Sequence, residues 1–222
     1  MKSIVGCPAR VLGLTAQEEQ SLAADTADIL ATIEEAAWER LTDALADPEH
    51  PYRNLTLATI DGDGHPHARL LVLREVDTPR RLLEFHTDTR SPKWAEIEKQ
   101  PRLSVLGYDP VERLQLRLRG TTQLYPPGSD ANVMAWNSLS TWTRTTYCGG
   151  PPGDALAHPE PGGLRPNPPS EAETEIGRAR FGVIVFQSTI LDWFQHNRGQ
   201  VRRAVFQYSE HGSLADASWI AP

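Results

Sequence analysis

The chain has 222 residues, of which 39% are hydrophobic and 23% charged, the range of one soluble globular domain or at most two small ones. Its 29 acidic and 22 basic residues give a net charge of −7, opposite to the basic balance of a general nucleic-acid binder. No run approaches the roughly 18 uninterrupted apolar residues of a membrane-spanning helix. We therefore expect a soluble protein that binds neither nucleic acid nor a membrane.

The two cysteines, Cys7 and Cys148, are too few for a disulfide framework and have no companion at zinc-ligand spacing. This favours a reducing, cytoplasmic location. The pair His65 and His67 lacks third and fourth ligands, so a solvated hairpin is the simpler interpretation and we expect no metal site. No His or Asp stands at nucleophile spacing from Cys148, which argues against a catalytic thiol.

Hydrophobic periodicity changes along the chain from a helical to a strand pattern. Residues 16–46 repeat Leu and Ile at helical spacing and predict one long helix. The period then falls to two, as in half-buried strands, and turn residues at 61–64 and 109–110 join consecutive strands as hairpins. The predicted strands are 54–60, 66–76, 82–87, 102–108, 113–125, 181–187, 190–194 and 202–208.

Two short helices are predicted among these strands, over 91–100 with Ser91 as N-cap and over 129–139. Residues 149–169 contain 5 Gly and 7 Pro, which favours an irregular insertion. Strand patterns resume after it, so we expect one domain over residues 1–222. Many short strands with few helices favour an antiparallel β-barrel with peripheral helices.

Two arginines flank one of these strands. Arg69 and Arg74 stand on opposite faces, with four apolar residues between them, although solvated arginines around a half-buried strand would give the same pattern. Residues 61–146 carry a net charge of +1, against −6 for residues 1–60, so the middle segment is the better host for a small anion. No GxGxxG or Walker sequence occurs, and a phosphate site would have to be built from side chains.

Residues 85–93 end one strand and open the next helix. Ser91 stands at the cap, with Arg90 and Lys93 close by, so backbone donors, a hydroxyl and two cations can converge on an anion. A plain helix cap with exposed cations is the alternative. Later in the chain, Gln115 could bond the polar edge of a planar ring or simply face solvent, and Trp193 could cover an aromatic ligand or belong to the core.

The order of these segments resembles the pyridoxamine 5'-phosphate oxidase family of FMN-binding split barrels. The resemblance rests on RLLVLRE, FHTDTRSPK, RLQLRLRG, FGVIVFQSTILDWF, RRAVFQY and the closing WIAP, and runs from about residue 35 to the C-terminus around the insertion. It is most similar to the oxidase-like branch whose substrates are unsettled. It implies a mainly β, six-stranded antiparallel split barrel that forms a homodimer, with FMN in two clefts at the subunit interface.

The resemblance also implies which residues hold the cofactor. Arg69 and Lys93 would bind the FMN phosphate with help from Ser91. The backbone of residues 70–73 would contact the isoalloxazine ring, whose polar edge Gln115 would bond. The further implied contacts are Leu70, Leu71, Val72 and Leu73 along that backbone, His86 and Thr87 along the ribityl chain and ring, Arg74 and Arg90 as added cations, Trp193 and Arg203 closing the site, and, more loosely, Ser140 and Arg144.

The chain departs from the oxidases of this family at the substrate. Their Arg-Lys pair after the Ser of the phosphate segment is here Pro92 and Lys, with Arg90 two residues away as a source of the missing charge. Their Arg-x-His pair, which grips pyridoxal phosphate, is replaced by Gly199 and Val201. Arg74 replaces a Lys that contacts the substrate phosphate and keeps only its charge. We expect the cofactor site to be retained and the vitamin site to be lost.

The sequence therefore predicts an FMN-dependent oxidoreductase that acts on a small molecule other than pyridoxamine 5'-phosphate, with the redox chemistry supplied by the flavin. A flavin-binding carrier or sensor without turnover is the alternative, and a barrel without cofactor is a third. A related deazaflavin in place of FMN is compatible with the same residues. The sequence does not specify the substrate or the electron acceptor.

Overall fold

A computed structural model describes residues 15–155, 158 and 169–222, and an antiparallel β-sheet that closes on itself forms its centre. The helices are α1 (Ala16–Asp43), α2 (Pro92–Lys99), α3 (Asp130–Ser138), α4 (Thr141–Thr145) and α5 (Glu171–Arg178). The strands are β1 (Asn54–Ile60), β2 (Pro66–Asp77), β3 (Leu82–Asp88), β4 (Arg102–Asp109), β5 (Leu114–Tyr125), β6 (Phe181–Asn197), β7 (Gln200–Tyr208) and β8 (Leu214–Trp219).

The sheet order explains the barrel. The strands follow one another as β3-β2-β1-β4-β5-β6-β7-β8, and β3 also pairs with β6. The first six strands in that order therefore close into an antiparallel barrel, and β7 and β8 extend the sheet from β6. The predicted six-stranded barrel with peripheral helices is confirmed. None of the described helices has the length and apolar character needed to cross a membrane.

Two differences from the predicted elements have local causes. Residues 181–187 and 190–194 belong to one strand, β6, whose register to β5 shifts between Arg119 and Gly120. A Cβ at Gly120 would overlap the carbonyl oxygen of Gln187, so glycine permits the irregular pairing that interrupts the period of two. Helices α4 and α5 and strand β8 were not predicted, and α5 carries a capping box between Ser170 and Glu173 that the sequence displays.

Most of the predicted insertion, residues 156–157 and 159–168, lies outside the described residues, as does Cys7.

The barrel interior is filled by apolar side chains that alternate along the strands, and α1 adds its buried face to the same core. A second apolar cluster forms where α3 lies against β6. Fully buried members of the first cluster include Trp38, Leu57, Phe85, Leu118 and Phe206, and the second contains Trp136, Tyr147, Phe181 and Val183.

A buried polar network ties α1 to β7. The Tyr208 hydroxyl accepts a hydrogen bond from Trp38 Nε1 at 2.9 Å and donates one to Glu34 Oε1 at 2.7 Å. The Arg81 guanidinium pairs with Glu34 at 3.0 Å and lies over both rings, 5.2 Å from the centroid of Trp38 and 5.0 Å from that of Tyr208. The long N-terminal helix is therefore fixed to the barrel by polar as well as apolar contacts.

Replacing Tyr208 by phenylalanine should lower the free energy of unfolding by about 1–3 kcal/mol, because the buried Trp38 N–H loses its partner and Glu34 keeps only Arg81. Denaturant unfolding measures the change. Tyr108→Phe is the matched control, since Tyr108 is 53% exposed and its loss should cost less than about 0.5 kcal/mol. Equal effects of the two substitutions would contradict the role of the network.

Candidate functional site

One edge of β2 is open. Residues 66–72 pair with β1, but the pairing of β2 with β3 begins only at Leu73. Leu70 is 66% exposed on this stretch. Among the strand pairings of the described residues, the second side of this backbone is unused, so its N–H and C=O groups are available to a ligand or to another chain.

The start of α2 lies at one end of this edge and carries an amine without an acidic partner. Lys93 Nζ donates to Thr87 Oγ1 at 3.0 Å, and Ser91 Oγ lies 3.3 Å from the same hydroxyl. Thr87 and Ser91 are both buried. Within the described part of the chain, no carboxylate oxygen lies within 4.0 Å of Lys93 Nζ. A half-buried cation in this state attracts an anion.

The positive charge of a second cation, Arg69 on β2, affects the Lys93 amine. Burial, and after it the charge of Arg69, lower the pKa of Lys93, while Asp88 and Glu96 oppose the shift. A bound anion would relieve both the burial cost and the repulsion between the two cations. The structure therefore brings together Arg69, Thr87, Ser91 and Lys93, which the sequence singled out separately.

Sequence reasoning did not assign three residues to this site: Glu96 and Thr59, which hold Arg69, and His67, which contacts Glu96. Glu96 on α2 accepts a hydrogen bond from Arg69 Nη2 at 3.0 Å and from Thr59 Oγ1 at 2.5 Å, and its Oε1 lies 2.9 Å from His67 Nδ1. Arg69 also donates to the Thr59 hydroxyl. Burial alone would raise the pKa of Glu96, but these hydrogen bonds and the charge of Arg69 outweigh it and lower the pKa.

A signal for Glu96 was present in the sequence. It follows Lys93 by three residues in a predicted helix, which places both side chains on one face. His67, interpreted as part of a solvated hairpin, is half-exposed but contacts Glu96 as well as solvent. Carboxylates in short surface helices are usually solvated, so the spacing alone did not distinguish a buried Glu.

Two predicted phosphate ligands have other partners. Ser91 occupies the cap position of α2, but its side chain makes no capping hydrogen bond and donates to the Asp88 carbonyl at 2.6 Å. Arg90 donates to the Asp88 carboxylate at 3.0 and 2.6 Å and to the carbonyl oxygens of Gly149 and Gly150. The Asp88 carboxylate neutralises Arg90, whose predicted part in phosphate binding would require it to leave this ion pair.

Two further predicted cofactor contacts, Arg74 and His86, lie on β2 and β3. Arg74 stands at a β-bulge, where the register of β2 to β3 shifts between Leu73 and Glu75. Its Nε is buried without a hydrogen-bond partner among the described residues, and burial lowers the pKa of its guanidinium. The His86 ring packs edge-on against Phe181 at 4.9 Å, and its Nδ1 is likewise buried and unpartnered in that part of the chain.

A second polar cluster lies on the side of β5, β6 and β7 that faces away from the core. Gln115 and Arg203 both pair across strands with Phe194, which places them on this face. Asp192 lies on the same face and is buried, and its carboxylate accepts hydrogen bonds from Arg203 at 2.9 and 2.7 Å and from Arg117. Burial would raise the pKa of Asp192, but the two arginines lower it.

Trp193 points the other way. It is 5% exposed, belongs to the main core, and pairs across strands with Leu116 and Ala204. The Arg202 guanidinium lies 5.4 Å from its ring centroid. Of the two interpretations left open by the sequence, the core position describes Trp193 within this chain, and its contact with a cofactor stays a prediction.

Ser140 and Arg144, the loosely aligned pair, serve local structure. Ser140 Oγ caps α4 by accepting from Thr143 N at 3.2 Å. Arg144 is buried, lies 5.2 Å from the Trp136 ring centroid and donates to the Trp136 carbonyl at 3.3 Å. Both side chains are therefore engaged within the second apolar cluster and its flanking turn.

The turn between β1 and β2 gathers three groups that could ligate a metal. One ligand atom each from Asp61, Asp63 and His65 lies within 4.8 Å of the others. Asp61 Oδ1, however, accepts the backbone N–H groups of Asp63 and His65 at 2.9 and 2.8 Å, which is how an Asp stabilises a tight turn. The absence of a metal site stays a prediction.

The donor set at Arg69 and Lys93 fits one phosphate monoester. The amine of Lys93 lacks a counter-ion among the described residues, a guanidinium lies beside it, and the positive end of the α2 dipole starts at the same point. The open backbone of β2 leads away from this point. A mononucleotide whose phosphate binds here could lay its ring along that edge.

Comparison with known proteins adds the family. A family model described as pyridoxamine 5'-phosphate oxidase, FMN-binding domain, matches residues 35–126. The pyridoxine/pyridoxamine 5'-phosphate oxidase of Pseudomonas paraeruginosa is 38% identical over 66 residues, which are 30% of this chain and 30% of that protein. That of Caulobacter vibrioides is 34% identical over 90 residues, 40% of this chain and 38% of that protein. The chain thus spans 30–38% of the length of these curated relatives.

Solved structures agree over a longer stretch. A pyridoxamine 5'-phosphate oxidase-related, FMN-binding protein from Nostoc punctiforme superposes with a TM-score of 0.68 at 25% identity, covering 85% of this chain and 96% of that one. PhzG from Burkholderia lata, solved with tetrahydrophenazine-1-carboxylic acid, gives 0.63 at 16% identity, covering 86% and 92%, and shows the fold alone. Taken with the closed barrel, these matches support the pyridoxamine 5'-phosphate oxidase-like family of FMN-binding split barrels, whose domain model matches residues 35–126.

Proposed function

We propose that this chain binds FMN and catalyses an FMN-dependent oxidation–reduction of a small molecule. The observation that carries the proposal is the half-buried Lys93 amine, which has Arg69 beside it and no carboxylate partner in the described part of the chain. A single phosphate-type cluster favours FMN, with one phosphate, over FAD, with two. When bound, the flavin supplies hydride or electron transfer, and the protein binds and orients it.

Different residues bind the phosphate, contact the ring and stabilise its charge. Arg69 and Lys93 bind the phosphate, and the backbone of residues 70–73, which is open as far as Val72, meets the ring. Arg117 and Arg203 together carry one positive charge more than Asp192 removes, so this second cluster favours negative charge on a ring bound beside it. The protein need not supply a covalent catalyst.

We further propose that the chain works as a homodimer. No hydrogen bond or ion pair among the described residues joins the Arg69–Lys93 cluster to the Gln115–Arg203 cluster. Thr87 pairs with Gly182, and Phe194 lies 12 residues farther along β6, roughly 40 Å of extended strand at about 3.3 Å per residue. A second copy that seats its Gln115–Arg203 cluster against the open β2 edge would complete the site.

Light scattering of the flavin-loaded protein should therefore give a mass near twice 24.6 kDa. A sharper test mixes two inactive variants, Arg69→Ala with Lys93→Ala and, separately, Arg203→Ala. If each site takes one cluster from each subunit, exchange of subunits restores one intact site per heterodimer and recovers part of the FMN binding. A monomeric mass in a sample that still binds flavin, or no recovery on mixing, would overturn the shared site.

The function is tested by identifying the bound cofactor and then its turnover. Flavin released from the purified protein should be FMN, as judged by chromatography against FMN, FAD and deazaflavin standards. The bound flavin is next reduced, and its reoxidation is followed with and without candidate substrates. Substrate-accelerated reoxidation or reduction supports an enzyme, whereas bound FMN that no substrate affects would favour a carrier or sensor. If the purified protein binds no flavin, the proposal itself is wrong.

A further inference from the structure

We propose that Glu96 is a positioning residue for the anion site, which holds the Arg69 guanidinium beside Lys93. The inference rests on the proposed FMN phosphate site. Glu96 is only 7% exposed, and its carboxylate contacts groups from two strands, Thr59 on β1 and both His67 and Arg69 on β2. A buried carboxylate with three such partners is more than a solvated side chain of a surface helix.

The contacts fix the guanidinium at two nitrogens. Arg69 Nη2 donates to Glu96 Oε2, and Nη1 donates to the Thr59 hydroxyl, which itself donates to the same Oε2. Thr59 is 2% exposed, so this triangle lies on rigid, buried elements. The remaining N–H donors of Arg69 are left for a ligand.

The same carboxylate offsets the repulsion between two cations. Arg69 acts on Lys93 strongly enough to lower its pKa, and Arg side chains have many rotamers through which the guanidinium could move away into solvent. With Glu96 removed, Arg69 keeps Thr59 as its only partner among the described residues. We therefore expect Arg69 to lose its place beside Lys93.

Glu96 could instead weaken binding by repelling a phosphate, and the geometry decides between the two effects. Its carboxylate is already covered by three donors. Its influence on Lys93 is also smaller than that of Arg69 or Asp88. Its positioning of Arg69 should outweigh its repulsion of the ligand.

A double-mutant cycle on the full chain tests this, with FMN and riboflavin titrated separately. Outer partners that orient a ligand-binding group are typically worth about 10- to 100-fold, and we expect Glu96→Ala to weaken FMN binding about tenfold. Arg69→Ala should weaken FMN binding in the native background but have almost no further effect once Glu96 is replaced. Riboflavin, which lacks the phosphate, should bind all variants alike.

Glu98→Ala is the matched control, because Glu98 is an exposed carboxylate on the same helix. It should leave FMN affinity unchanged. Glu96→Gln, which keeps the shape of the side chain, should show the same loss of additivity with Arg69→Ala, and it serves if the alanine variant does not fold.

Tighter FMN binding by Glu96→Ala, or an undiminished effect of Arg69→Ala in that background, would overturn the positioning role. Failure of the proposed function looks different, because the unsubstituted chain would then bind FMN no better than riboflavin.

Discussion

Replacing Arg69 and Lys93 together by alanine should weaken FMN binding at least a hundredfold. Each side chain would make a charge-assisted hydrogen bond to the phosphate, worth about 1.5–3 kcal/mol, so the loss of both exceeds the roughly 2.7 kcal/mol that a hundredfold change in affinity requires. Titration followed by flavin fluorescence measures the change. Circular dichroism and thermal unfolding show whether the barrel is intact.

The control for this pair removes two cations that lie outside the site. Lys99 and Arg102 are both exposed, and their joint replacement by alanine changes the net charge by the same amount. FMN affinity should then stay within about threefold of the native value, since exposed charges act weakly through solvent. An unchanged FMN affinity in the Arg69 and Lys93 double variant, with the fold intact, would refute the site assignment.

Pyridoxamine 5'-phosphate should be a poor substrate, with kcat/KM below about 10⁴ per molar per second, the lower end of the ordinary enzyme range. Its oxidation needs the phosphate gripped and the pyridine ring flat against the flavin, with reacting atoms within about 3–3.5 Å. Gly199 and Val201 supply neither a charge nor an imidazole. The combined loss should cost roughly 3–6 kcal/mol of transition-state binding, about two to four decades in rate.

Of three arginines that could replace these residues, two are engaged elsewhere in the chain. Arg202 donates to Gln195 at 2.8 Å and lies over the Trp193 ring, and Arg144 is buried against Trp136. Arg198 lies in the exposed turn between β6 and β7. Gly199 has a φ of +81°, so an arginine at that position would be strained even though the space around it is open.

Steady-state oxidation of pyridoxamine 5'-phosphate by FMN-loaded protein under air measures this constant. The matching control is a pyridoxine/pyridoxamine 5'-phosphate oxidase, such as that of Caulobacter vibrioides, assayed in parallel. A value above about 10⁴ per molar per second would show that the substrate prediction is wrong and that another residue grips the vitamin phosphate.

Local chemistry accounts for what the sequence predicted of the fold. The period-two pattern gave β1 its observed bounds, Asn54–Ile60, because each inward residue meets the core and each outward one does not. The same pattern failed in β6, where an irregular register opposite Gly120 keeps one strand continuous through a break in alternation. Bulges depend on the partner strand and are not visible in one segment alone.

In the candidate site, too, local patterns were predictable from the sequence and contacts between distant segments were not. Lys93 was singled out because cations beside a strand end and a helix start are a recognisable anion pattern, whereas the family resemblance implied the role of Arg69. The pairing of Arg90 with Asp88 and the burial of Glu96 were not found, because which carboxylate a cation meets is decided by the tertiary fold. Likewise, alternation could not say that Trp193 faces the core while Arg203 faces away from it.

Binding of FMN and riboflavin to the unsubstituted protein tests most directly whether the Arg69–Lys93 cluster binds the phosphate of FMN. The two ligands share the ring and ribityl chain and differ only in the phosphate. We expect FMN to bind at least about a hundredfold more tightly than riboflavin, in keeping with two charge-assisted contacts. Equal affinities, or tighter binding of riboflavin, would contradict it.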